Sequence, residues 1–299
     1  MTNTNKKALI IGVTGQDGSN MVDYLLKHTK HTIYGTIRML SNDNNENISH
    51  NIENPRFIIK KMDLTDAISI QRVFLEVMPD YFINFAAQSF VSESWKQPVL
   101  TFMTNTISVI HILETIKNHK PSCRFYSAGS SEEFGNIDFS PQTLDHPLKP
   151  RSPYGASKCA TRHIVKVYRE SYQLFAIHCI LFNHEGIRRG KHFVTRKITN
   201  NLARIKYELN LGKTPKPFYL GNIWAERDWS DSEDFVEAIW IMLQQDTPKE
   251  YLLSSNESHT VKEFIDIACQ YLQLPIQWNI DSNNPLNTIA TIHEQPIIH

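Results

Sequence analysis

Tyr154 and Lys158 are four residues apart in a stretch that favours a helix, and this spacing puts two side chains on one helical face. A nearby cation favours the phenolate form of a tyrosine, so such a pair can take a proton from a substrate hydroxyl and return it. A YxxxK pattern is common by chance. Because it follows Arg151-Ser-Pro153, which is typical of a helix start, and lies downstream of a glycine-rich loop, we interpret the pair as catalytic.

A second group of reactive side chains is Ser127-Ala-Gly-Ser-Ser-Glu132, at the carboxyl end of a predicted strand. Open α/β sheets bind ligands at that edge. Hydroxyl groups there can hydrogen-bond a sugar, and the Glu132 carboxylate can remove a proton from carbon. The alternative is a serine-rich turn with a solvated acid, but the neighbouring Tyr154 and Lys158 favour a catalytic role.

Three glycines, Gly12, Gly15 and Gly18, lie between the first predicted strand and the first predicted helix. Glycines at such a position permit a tight turn, a close approach to a pyrophosphate and close packing of helix on strand. Their spacing is GxxGxxG, whereas the usual dinucleotide fingerprint is GxGxxG, and the pattern also occurs in ordinary turns. The strand–turn–helix context favours a phosphate-binding loop.

The end of the second predicted strand indicates which dinucleotide is bound. About 20 residues beyond the glycines, where an NAD site has an acid, the chain reads Gly35-Thr-Ile-Arg38. A guanidinium accepts a ribose 2′-phosphate that a carboxylate would repel, so NADP is favoured over NAD, unless Arg38 is simply solvated. Asp63, after the third strand, is a candidate contact to adenine or alternatively a helix N-cap.

These side chains need a framework, and the first half of the chain alternates strand and helix patterns. Such alternation predicts an α/β fold in which a doubly wound parallel sheet is covered on both faces. We expect an NADP-binding Rossmann-type domain over residues 1–180, to which later segments can return, and a smaller C-terminal α/β substrate domain over residues 181–299. The predicted strands are Ala8–Val13, Thr32–Ile37, Phe57–Lys60, Tyr81–Ala87 and Arg124–Ala128; the predicted helices are Asn20–His28, Ala67–Val77, Val99–Lys117, Asp234–Gln244 and Val261–Leu272; Ser41–Pro55 and Ile280–His299 are predicted to be irregular.

Composition limits the partners that the chain can have. Hydrophobic residues make up 41% of its 299 residues, which excludes wholesale disorder. The 31 Lys and Arg balance the 31 Asp and Glu, so the basic excess typical of nucleic-acid and acidic-membrane binders is absent. Four scattered cysteines without metal-ligand spacing indicate a reducing compartment and no metal site. Because no apolar stretch fits a signal peptide or a membrane helix, we expect a cytoplasmic protein.

Further motifs make the chain similar to extended short-chain dehydrogenase/reductases that act on nucleotide sugars, most of all to the GDP-mannose 4,6-dehydratase family. The Asn-His-Glu and Phe-Val-Thr-Arg-Lys segments are much more specific than the glycines. The similarity extends from Ala8 to about Leu272, and the matching segments are Thr14–Ser19, Ala87–Ser89, Arg151–Ala156, Leu181–Glu185, Arg188–Gly190, Phe193–Ile198, Leu220–Asn222 and Arg227–Trp229.

The resemblance implies a hydro-lyase of deoxysugar biosynthesis that converts a GDP-hexose into the 4-keto-6-deoxy sugar by internal hydride transfer through NADP and loss of water. It implies that Tyr154, activated by Lys158, takes the proton of the 4-hydroxyl, and that Glu132 removes the proton of carbon 5. Ser130 stands where the family has threonine and would hydrogen-bond the 4-hydroxyl. The implied cofactor-binding residues are Gly12, Gly15, Gln16, Asp17, Gly18, Arg38, Asp63, Leu64, Ala86, Ala87, Tyr154 and Lys158. The implied substrate-binding residues are Ser89, Asn183, Glu185, Arg188, Lys197, Leu220, Asn222 and Arg227, although a solvated basic surface would give a similar set.

Some features depart from the family pattern. Glu133 and Phe134 replace a Leu-Tyr pair, and Met39 replaces a second arginine in a loop that in the family joins subunits. A homodimer built from the helices Val99–Lys117 and Ser157–Tyr172 is the family expectation, and a tetramer stays open. The chain also ends before an Arg-Pro-x-Glu-Val segment that in the family helps close on the nucleotide, so a shortened substrate domain with weaker affinity for the sugar nucleotide is expected.

Three other interpretations stay open, two enzymatic and one non-catalytic. An NADPH-dependent GDP-4-keto-6-deoxymannose reductase would use the same Tyr154 and Lys158, and the Ser-Ser-Glu-Glu-Phe-Gly segment also resembles such reductases. A 4-epimerase is possible within the same superfamily. A non-catalytic NADP-binding module would have a degenerate site, and the intact catalytic set argues against it. The sugar is also open, because GDP-heptose is conceivable beside GDP-mannose.

Overall fold

The computed structural model describes residues 5–38 and 45–298, so Met39 lies outside the described residues. The chain divides into two compact units. The first unit comprises Met1–Arg188 and Ser230–Ser254, and the second comprises Arg189–Trp229 and Ser255–His299. A later segment of the chain thus belongs to the first unit, and the predicted boundary at residue 180 lies within a strand of that unit.

Strands and helices alternate through the first unit. The strands of the described residues are β1 (Lys7–Ile11), β2 (Thr32–Ile37), β3 (Phe57–Lys61), β4 (Tyr81–Asn84), β5 (Arg124–Ala128), β6 (Ala176–Leu181), β7 (Asn183–Glu185), β8 (Glu226–Asp231), β9 (Tyr251–Leu253), β10 (Ser258–Thr260), β11 (Ile276–Asn279), β12 (Ile289–Ile292) and β13 (Gln295–Ile298). The α-helices are α1 (Gln16–His28), α2 (Ala67–Val77), α3 (Val91–Lys96), α4 (Pro98–Phe102), α5 (Ser108–His119), α6 (Pro153–Tyr172), α7 (Val194–Asn210), α8 (Ser232–Leu243) and α9 (Val261–Tyr271).

The first unit is built on a seven-stranded sheet with the order β3-β2-β1-β4-β5-β6-β9. All neighbouring strands are parallel, which confirms the predicted doubly wound α/β fold. The strand order reverses between β1 and β4, and doubly wound sheets bind ligands at the carboxyl ends of the strands beside such a reversal. The residues that follow β1, β4 and β5 therefore lie where a ligand is expected.

Both faces of this sheet are buried under helices. On one face the core includes Met21 and Leu25 of α1 with Phe235 and Ile239 of α8. On the other face helices α2, α5 and α6 bury residues such as Phe74. Each fully buried side chain of this size contributes roughly 1.5–3 kcal/mol, so packing on both faces stabilises the sheet that positions the site.

Several predicted boundaries need correction. The predicted strand Ala8–Val13 ends at Ile11, because Gly12 adopts a φ of +87°. The predicted strand Tyr81–Ala87 ends at Asn84, whose side-chain oxygen accepts a hydrogen bond from the Ala86 N–H at 3.1 Å. Within residues 41–55, predicted to be irregular, residues 41–44 lie outside the described residues and Glu46–Asn51 forms a 3-10 helix. Strand β6 was not predicted at all.

The predicted helix Val99–Lys117 is interrupted by a π-helical turn. Between α4 and α5, Met103–Ile107 is π-helical and turns Asn105 and Thr106 toward α6. Asn105 Nδ2 donates to Ser157 Oγ at 3.0 Å, and Thr106 Oγ1 donates to the Ser157 carbonyl at 2.9 Å. A π turn re-aims side chains in this way, so the interruption satisfies polar groups that would otherwise be buried without partners.

The same helical run, Pro98–His119, is long and apolar enough to cross a membrane by length and composition, and it is the one such helix among residues 5–38 and 45–298. The sequence pattern had indicated none. Half of its apolar window is buried inside the protein, and core helices of soluble proteins meet the same criteria, so this is weak evidence of a membrane span.

The second unit has its own core and its own small sheet. Helices α7 and α9 bury residues such as Leu202 and Ile265 against the antiparallel sheet β11-β12-β13. Residues 280–299 were predicted to be irregular, which is wrong, because β12 and β13 form a hairpin there. Its two loop residues, His293 and Glu294, have φ values of +49° and +65°. Tight hairpin turns usually place Asn or Gly at such positions, so the sequence carries no turn signal.

Candidate active site

The turn between β1 and α1 is a cradle that only glycine fits. A Cβ on Gly12 would lie 3.0 Å from the Ala86 nitrogen, and a Cβ on Gly18 would lie 2.2 Å from the Gly12 carbonyl oxygen. Gly15 is the N-cap of α1 and has no side chain to cap the helix. Uncapped N–H groups at a helix N-terminus stabilise phosphate, so this turn fits a pyrophosphate.

Gln16 and Asp17, predicted to bind the cofactor, tie this turn to β7. Gln16 Nε2 donates to the His184 carbonyl at 3.0 Å, and Asp17 Oδ2 lies 2.9 Å from His184 Nε2. His184 also stacks on Phe235, with 4.5 Å between the ring centroids. These contacts hold the glycine turn against the Asn183–Glu185 strand. The Gln16 and Asp17 side chains, predicted to bind the cofactor, therefore have a structural role.

Arg38 and Asp63 follow the adjacent strands β2 and β3, and both are exposed. Asp63 Oδ1 accepts hydrogen bonds from Thr65 Oγ1 at 2.7 Å and from the Thr65 N–H at 2.8 Å. These hydrogen bonds, together with the nearby Arg38 charge, lower the pKa of the Asp63 carboxyl. The alternative interpretation of Asp63 as a helix N-cap is wrong, because Asp66 caps α2. Leu64 packs against the core.

Two further predicted cofactor-binding residues, Ala86 and Ala87, directly follow β4, and Ala86 faces Gly12. Ser89, a predicted substrate-binding residue, comes next and is exposed. The loop after β4 thus lies beside the glycine turn at the strand-order reversal, which is where the fold places a dinucleotide.

Tyr154 and Lys158 lie in the first two turns of α6. Pro153 occupies the first helical position, and the N-cap Ser152 accepts a hydrogen bond from the Gly155 N–H at 3.0 Å. The Lys158 ammonium lies 5.9 Å from the centroid of the Tyr154 ring. The prediction that these two side chains share one helical face is therefore confirmed.

Lys158 is almost fully buried, with 6% of its surface exposed. Its Nζ donates to the Ala128 carbonyl at the end of β5, at 2.7 Å. Burial lowers the pKa of Lys158 to about 8, and the negative charge of Glu133 opposes that shift. An ammonium with this pKa titrates close to neutral pH, so its charge is sensitive to its surroundings.

The turn that carries Ser130 and Glu132 packs against the start of α6. Ser130 is the N-cap of the 3-10 turn Ser131–Glu133, and its Oγ accepts a hydrogen bond from the Glu132 N–H at 3.3 Å. A Cβ on Gly155 would lie 2.5 Å from the Glu132 carbonyl oxygen. Only glycine permits this contact, which places the turn beside the helix that carries Tyr154 and Lys158.

Arg188, predicted to bind the nucleotide, is engaged inside the first unit. Its Nη2 pairs with Asp23 Oδ2 of α1, and Asp23 Oδ1 lies 2.9 Å from His50 Nε2. Asn47 Nδ2 donates to the Thr14 carbonyl at 3.0 Å. These contacts hold the 3-10 helix Glu46–Asn51 on α1, so Arg188 has a structural role, and nucleotide binding by it stays a prediction.

Four predicted substrate-binding residues belong to the second unit. Lys197 is half-buried in the first turn of α7, and Leu220 packs against the core of the unit. Asn222 Oδ1 accepts a hydrogen bond from the Trp224 N–H at 2.9 Å. Arg227 is exposed on β8 and donates to the Glu226 carbonyl at 2.7 Å. Their roles stay predictions.

One buried pair near the site was missed. Glu133 had been noted only as a departure from the family pattern, and His178 had not been noted at all. The two side chains meet in the interior, with 3.0 Å between Glu133 Oε1 and His178 Nε2. The available signal was a histidine in the otherwise apolar run Ala176–Leu181, together with an acid where the family has leucine.

The sequence matches a known protein family. The family model described as GDP-mannose 4,6 dehydratase matches residues 9–297. The chain is 43% identical over 279 residues to GDP-mannose 4,6 dehydratase 1 of Arabidopsis thaliana, which covers 90% of this chain and 75% of that protein.

Solved structures share the fold. A dTDP-glucose 4,6-dehydratase from Bacillus anthracis in complex with NAD has a TM-score of 0.77 at 24% identity, covering 90% of this chain and 81% of that one. RMD from Pseudomonas aeruginosa, complexed with NADPH, has a TM-score of 0.74 at 21% identity, covering 90% of this chain and 84% of that one.

Proposed function

Because this chain belongs to the GDP-mannose 4,6-dehydratase family, we propose that it removes water from GDP-mannose with Ser130, Glu132, Tyr154 and Lys158 as its catalytic residues. The observation that carries these assignments is the close approach of Gly155 to the Glu132 carbonyl. That contact puts the backbone of Glu132 beside the helix that carries Tyr154 and Lys158. The enzyme is a hydro-lyase.

The cofactor is a nicotinamide dinucleotide. The fit is supported by the glycine cradle, since a side chain at Gly12 or Gly18 would collide with backbone where a pyrophosphate has to approach. When bound, this group would supply the hydride-transfer chemistry that oxidises carbon 4 of the sugar and reduces carbon 6. Gly12, Gly15 and Gly18 would hold its phosphates, and Arg38 and Asp63 would bind its ribose and adenine end.

NADP is the form that the residues favour. The exposed Arg38 guanidinium ends β2 and can pair with a 2′-phosphate. The solved structures of similar fold are complexes with NAD in one case and NADPH in another. Titration of the purified protein with NADP⁺ and NAD⁺ tests the choice: tighter binding of NADP⁺ is expected, and tighter binding of NAD⁺ would contradict it.

Tyr154 takes the proton of the 4-hydroxyl, and the Lys158 ammonium stabilises the phenolate that this needs. Ser130 hydrogen-bonds the same hydroxyl and holds it in place. The ketone at carbon 4 acidifies the neighbouring proton on carbon 5, which the Glu132 carboxylate removes. That proton leaves with the carbon 6 hydroxyl as water, and the proton held by Tyr154 returns to carbon 5. The product is a 4-keto-6-deoxy sugar, and one water is released.

The direct test supplies purified protein with GDP-mannose and a catalytic amount of NADP⁺ and follows the mass of the nucleotide sugar. We expect the loss of one water without accumulation of NADPH. Unchanged GDP-mannose, with NADPH-dependent reduction of a supplied 4-keto sugar, would contradict the dehydratase and assign a reductase.

We also propose a homodimer in the cytoplasm. Support for the dimer comes from exposed apolar side chains on the helical run Pro98–His119 and on α6, among them Val99 and Tyr172, which are 76% and 50% exposed. Light scattering on the full chain tests the assembly, and substitution of Val99 by Glu should yield monomers if this face is the interface. Cell fractionation tests the location.

A further inference from the structure

Glu133 and His178 form a buried pair directly behind the catalytic turn. Both side chains are fully buried, and they come from separate elements, the 3-10 turn Ser131–Glu133 and strand β6. Glu133 Oε1 lies 3.0 Å from His178 Nε2 and accepts the Ser130 N–H at 2.9 Å. Because removing a carboxylate from water is costly, a buried acid persists only where hydrogen bonds and an opposite charge compensate it.

The hydrogen bonds assign the proton of the imidazole. Glu133 Oε1 is the acceptor, so His178 Nε2 carries the hydrogen. His178 Nδ1 is buried and has no hydrogen-bond partner among the described residues. A second proton there would be a buried donor without an acceptor on a charged ring, which is unfavourable. His178 thus orients Glu133 through the hydrogen on Nε2.

The Lys158 ammonium is the cation that the backbone brings toward this pair, because its Nζ donates to the carbonyl of Ala128 and the next residue, Gly129, packs on Glu133 Oε1. Burial lowers the pKa of Lys158 to about 8, and Glu133 is the residue whose charge opposes this shift. Burial, followed by the Glu133 charge, raises the pKa of both the Cys159 and the Cys179 thiol, so neither supplies a negative charge. The titratable and charged groups of the elements packed around the pair include Tyr154, Lys158, Cys159 and Arg162 on α6, Tyr126 on β5, His178 and Cys179 on β6, Glu132 in the turn itself, and Glu250 just before β9.

The backbone at Gly129 packs directly against the pair. A Cβ on Gly129 would lie 2.5 Å from His178 Nε2 and 2.7 Å from Glu133 Oε1. Gly129 directly follows Ala128, whose carbonyl accepts the Lys158 hydrogen bond. The glycine therefore allows the end of β5 to lie directly on the pair, and one short stretch of backbone connects Glu133, Lys158 and the catalytic turn.

We propose that Glu133, oriented by His178, is a positioning residue for the dehydration: it is the buried counter-ion of Lys158 and, through the Ser130 N–H, it holds the turn that carries Ser130 and Glu132. The proposal rests on the proposed catalytic roles of these residues and adds to them a residue that touches no substrate. The Lys158 ammonium then keeps its proton in a buried site because the Glu133 carboxylate is present.

The direct test measures the titration of Lys158 in the protein without cofactor or substrate. Lysine labelled with ¹³C at the ε carbon reports the protonation of each ammonium, and the Lys158 signal is assigned by its loss in Lys158→Arg. In Glu133→Gln, which keeps the shape of the side chain and removes its charge, we expect the proton affinity of Lys158 to fall by about tenfold or more. Glu133→Asp, which keeps the charge, should restore most of the affinity.

The matched control is Glu250→Gln. Glu250 is another carboxylate of the first unit and is partly buried, but it pairs with Arg162, with 3.1 Å between Arg162 Nε and Glu250 Oε1. Its removal should leave the Lys158 titration unchanged. Identical Lys158 titrations in the wild type and in Glu133→Gln would overturn the proposal.

A second readout is the pH dependence of turnover. If Lys158 loses its proton at lower pH in Glu133→Gln, the alkaline limb of the pH profile of kcat should move to lower pH by the same amount as the Lys158 titration. KM should change little. A merely structural role would lower kcat at every pH without moving the limb. His178→Gln, which keeps a donor, should retain the wild-type limb; a limb displaced as far as in Glu133→Gln would remove His178 from its orienting role.

Two outcomes separate this proposal from the proposed function. If Glu133→Gln fails to fold, the double variant Glu133→Leu/His178→Leu, which removes both members of the pair and so leaves neither without its partner, takes its place in the same titration. If the wild type does not dehydrate GDP-mannose, the proposed function fails, whereas the Lys158 titration still decides the role of Glu133.

Discussion

Two turns of the first unit both depend on glycine for close backbone packing. They differ in whether their backbone N–H groups have hydrogen-bond partners in the protein. The turn after β1 places Gly15 at the helix N-cap, where no side chain satisfies the first N–H groups of α1. The turn after β5 has a capping box in which Ser130 and Glu133 satisfy each other's backbone. Open donors attract an external anion, whereas satisfied donors hold a turn rigid. The first turn is suited to bind and the second to position.

The largest effect should follow from removing a catalytic group from the second turn, or from the helix α6 that packs on it, while the first turn stays intact. Replacing Tyr154 with Phe removes the group that takes the proton of the 4-hydroxyl, and Glu132→Gln removes the base for carbon 5. Each should lower kcat by about 10²- to 10⁴-fold, because general acid–base catalysis is lost, while NADP⁺ affinity changes little. Steady-state kinetics and cofactor titration measure both. Full dehydration by either variant would remove that residue from the mechanism.

Alanine substitutions of one helical glycine that packs on each turn, Gly18 of α1 and Gly155 of α6, should separate binding from positioning. In Gly155→Ala the new Cβ meets the Glu132 carbonyl oxygen at 2.5 Å, so the catalytic turn has to shift. A shift of about 1 Å can lower kcat by about 10²-fold, with cofactor affinity preserved. In Gly18→Ala the Cβ meets the Gly12 carbonyl oxygen at 2.2 Å, so cofactor affinity should fall first. If both variants lost cofactor affinity equally, the distinction between a binding turn and a positioning turn would be contradicted.

The buried Lys158 should make stability depend on pH in a specific direction. Its folded-state pKa of about 8 lies below the ordinary value of 10.5. Between these values the unfolded chain binds more protons, so the free energy of unfolding should rise with pH by up to about 3 kcal/mol. The buried thiols have raised pKa values and act in the opposite direction. The contribution of Lys158 is therefore measured, by urea unfolding, as the difference in the free energy of unfolding between wild type and Lys158→Met. A difference that does not change with pH would exclude this contribution.

The smallest effect should come from Arg38, at the edge of the proposed cofactor site. Arg38→Ala removes an exposed guanidinium that would pair with a 2′-phosphate, so the affinity for NADP⁺ should fall by about tenfold. NAD⁺ has no such phosphate, and its affinity should be nearly unchanged. Isothermal titration with both cofactors checks this. An equal loss for both would show that Arg38 does not discriminate between them.

Much of this framework could be predicted from local patterns. The predicted segments Thr32–Ile37, Arg124–Ala128 and Ala67–Val77 coincide with β2, β5 and α2, because their apolar spacing matches the period of the element. Strand β6 escaped because His178 stands in an apolar run. The hairpin of β12 and β13 escaped because its turn contains His293 and Glu294 at positive φ instead of Gly or Asn.

The sequence by itself determined the pairing of Tyr154 with Lys158, the glycine turn and the family, because those signals lie within a few consecutive residues whose local geometry is set by the helix period or by backbone freedom. Only the tertiary structure decided what surrounds Lys158. Glu133 and His178 are 45 residues apart and meet because β6 is the neighbour of β5 in the sheet. Such a contact depends on strand order and burial, which no local pattern encodes.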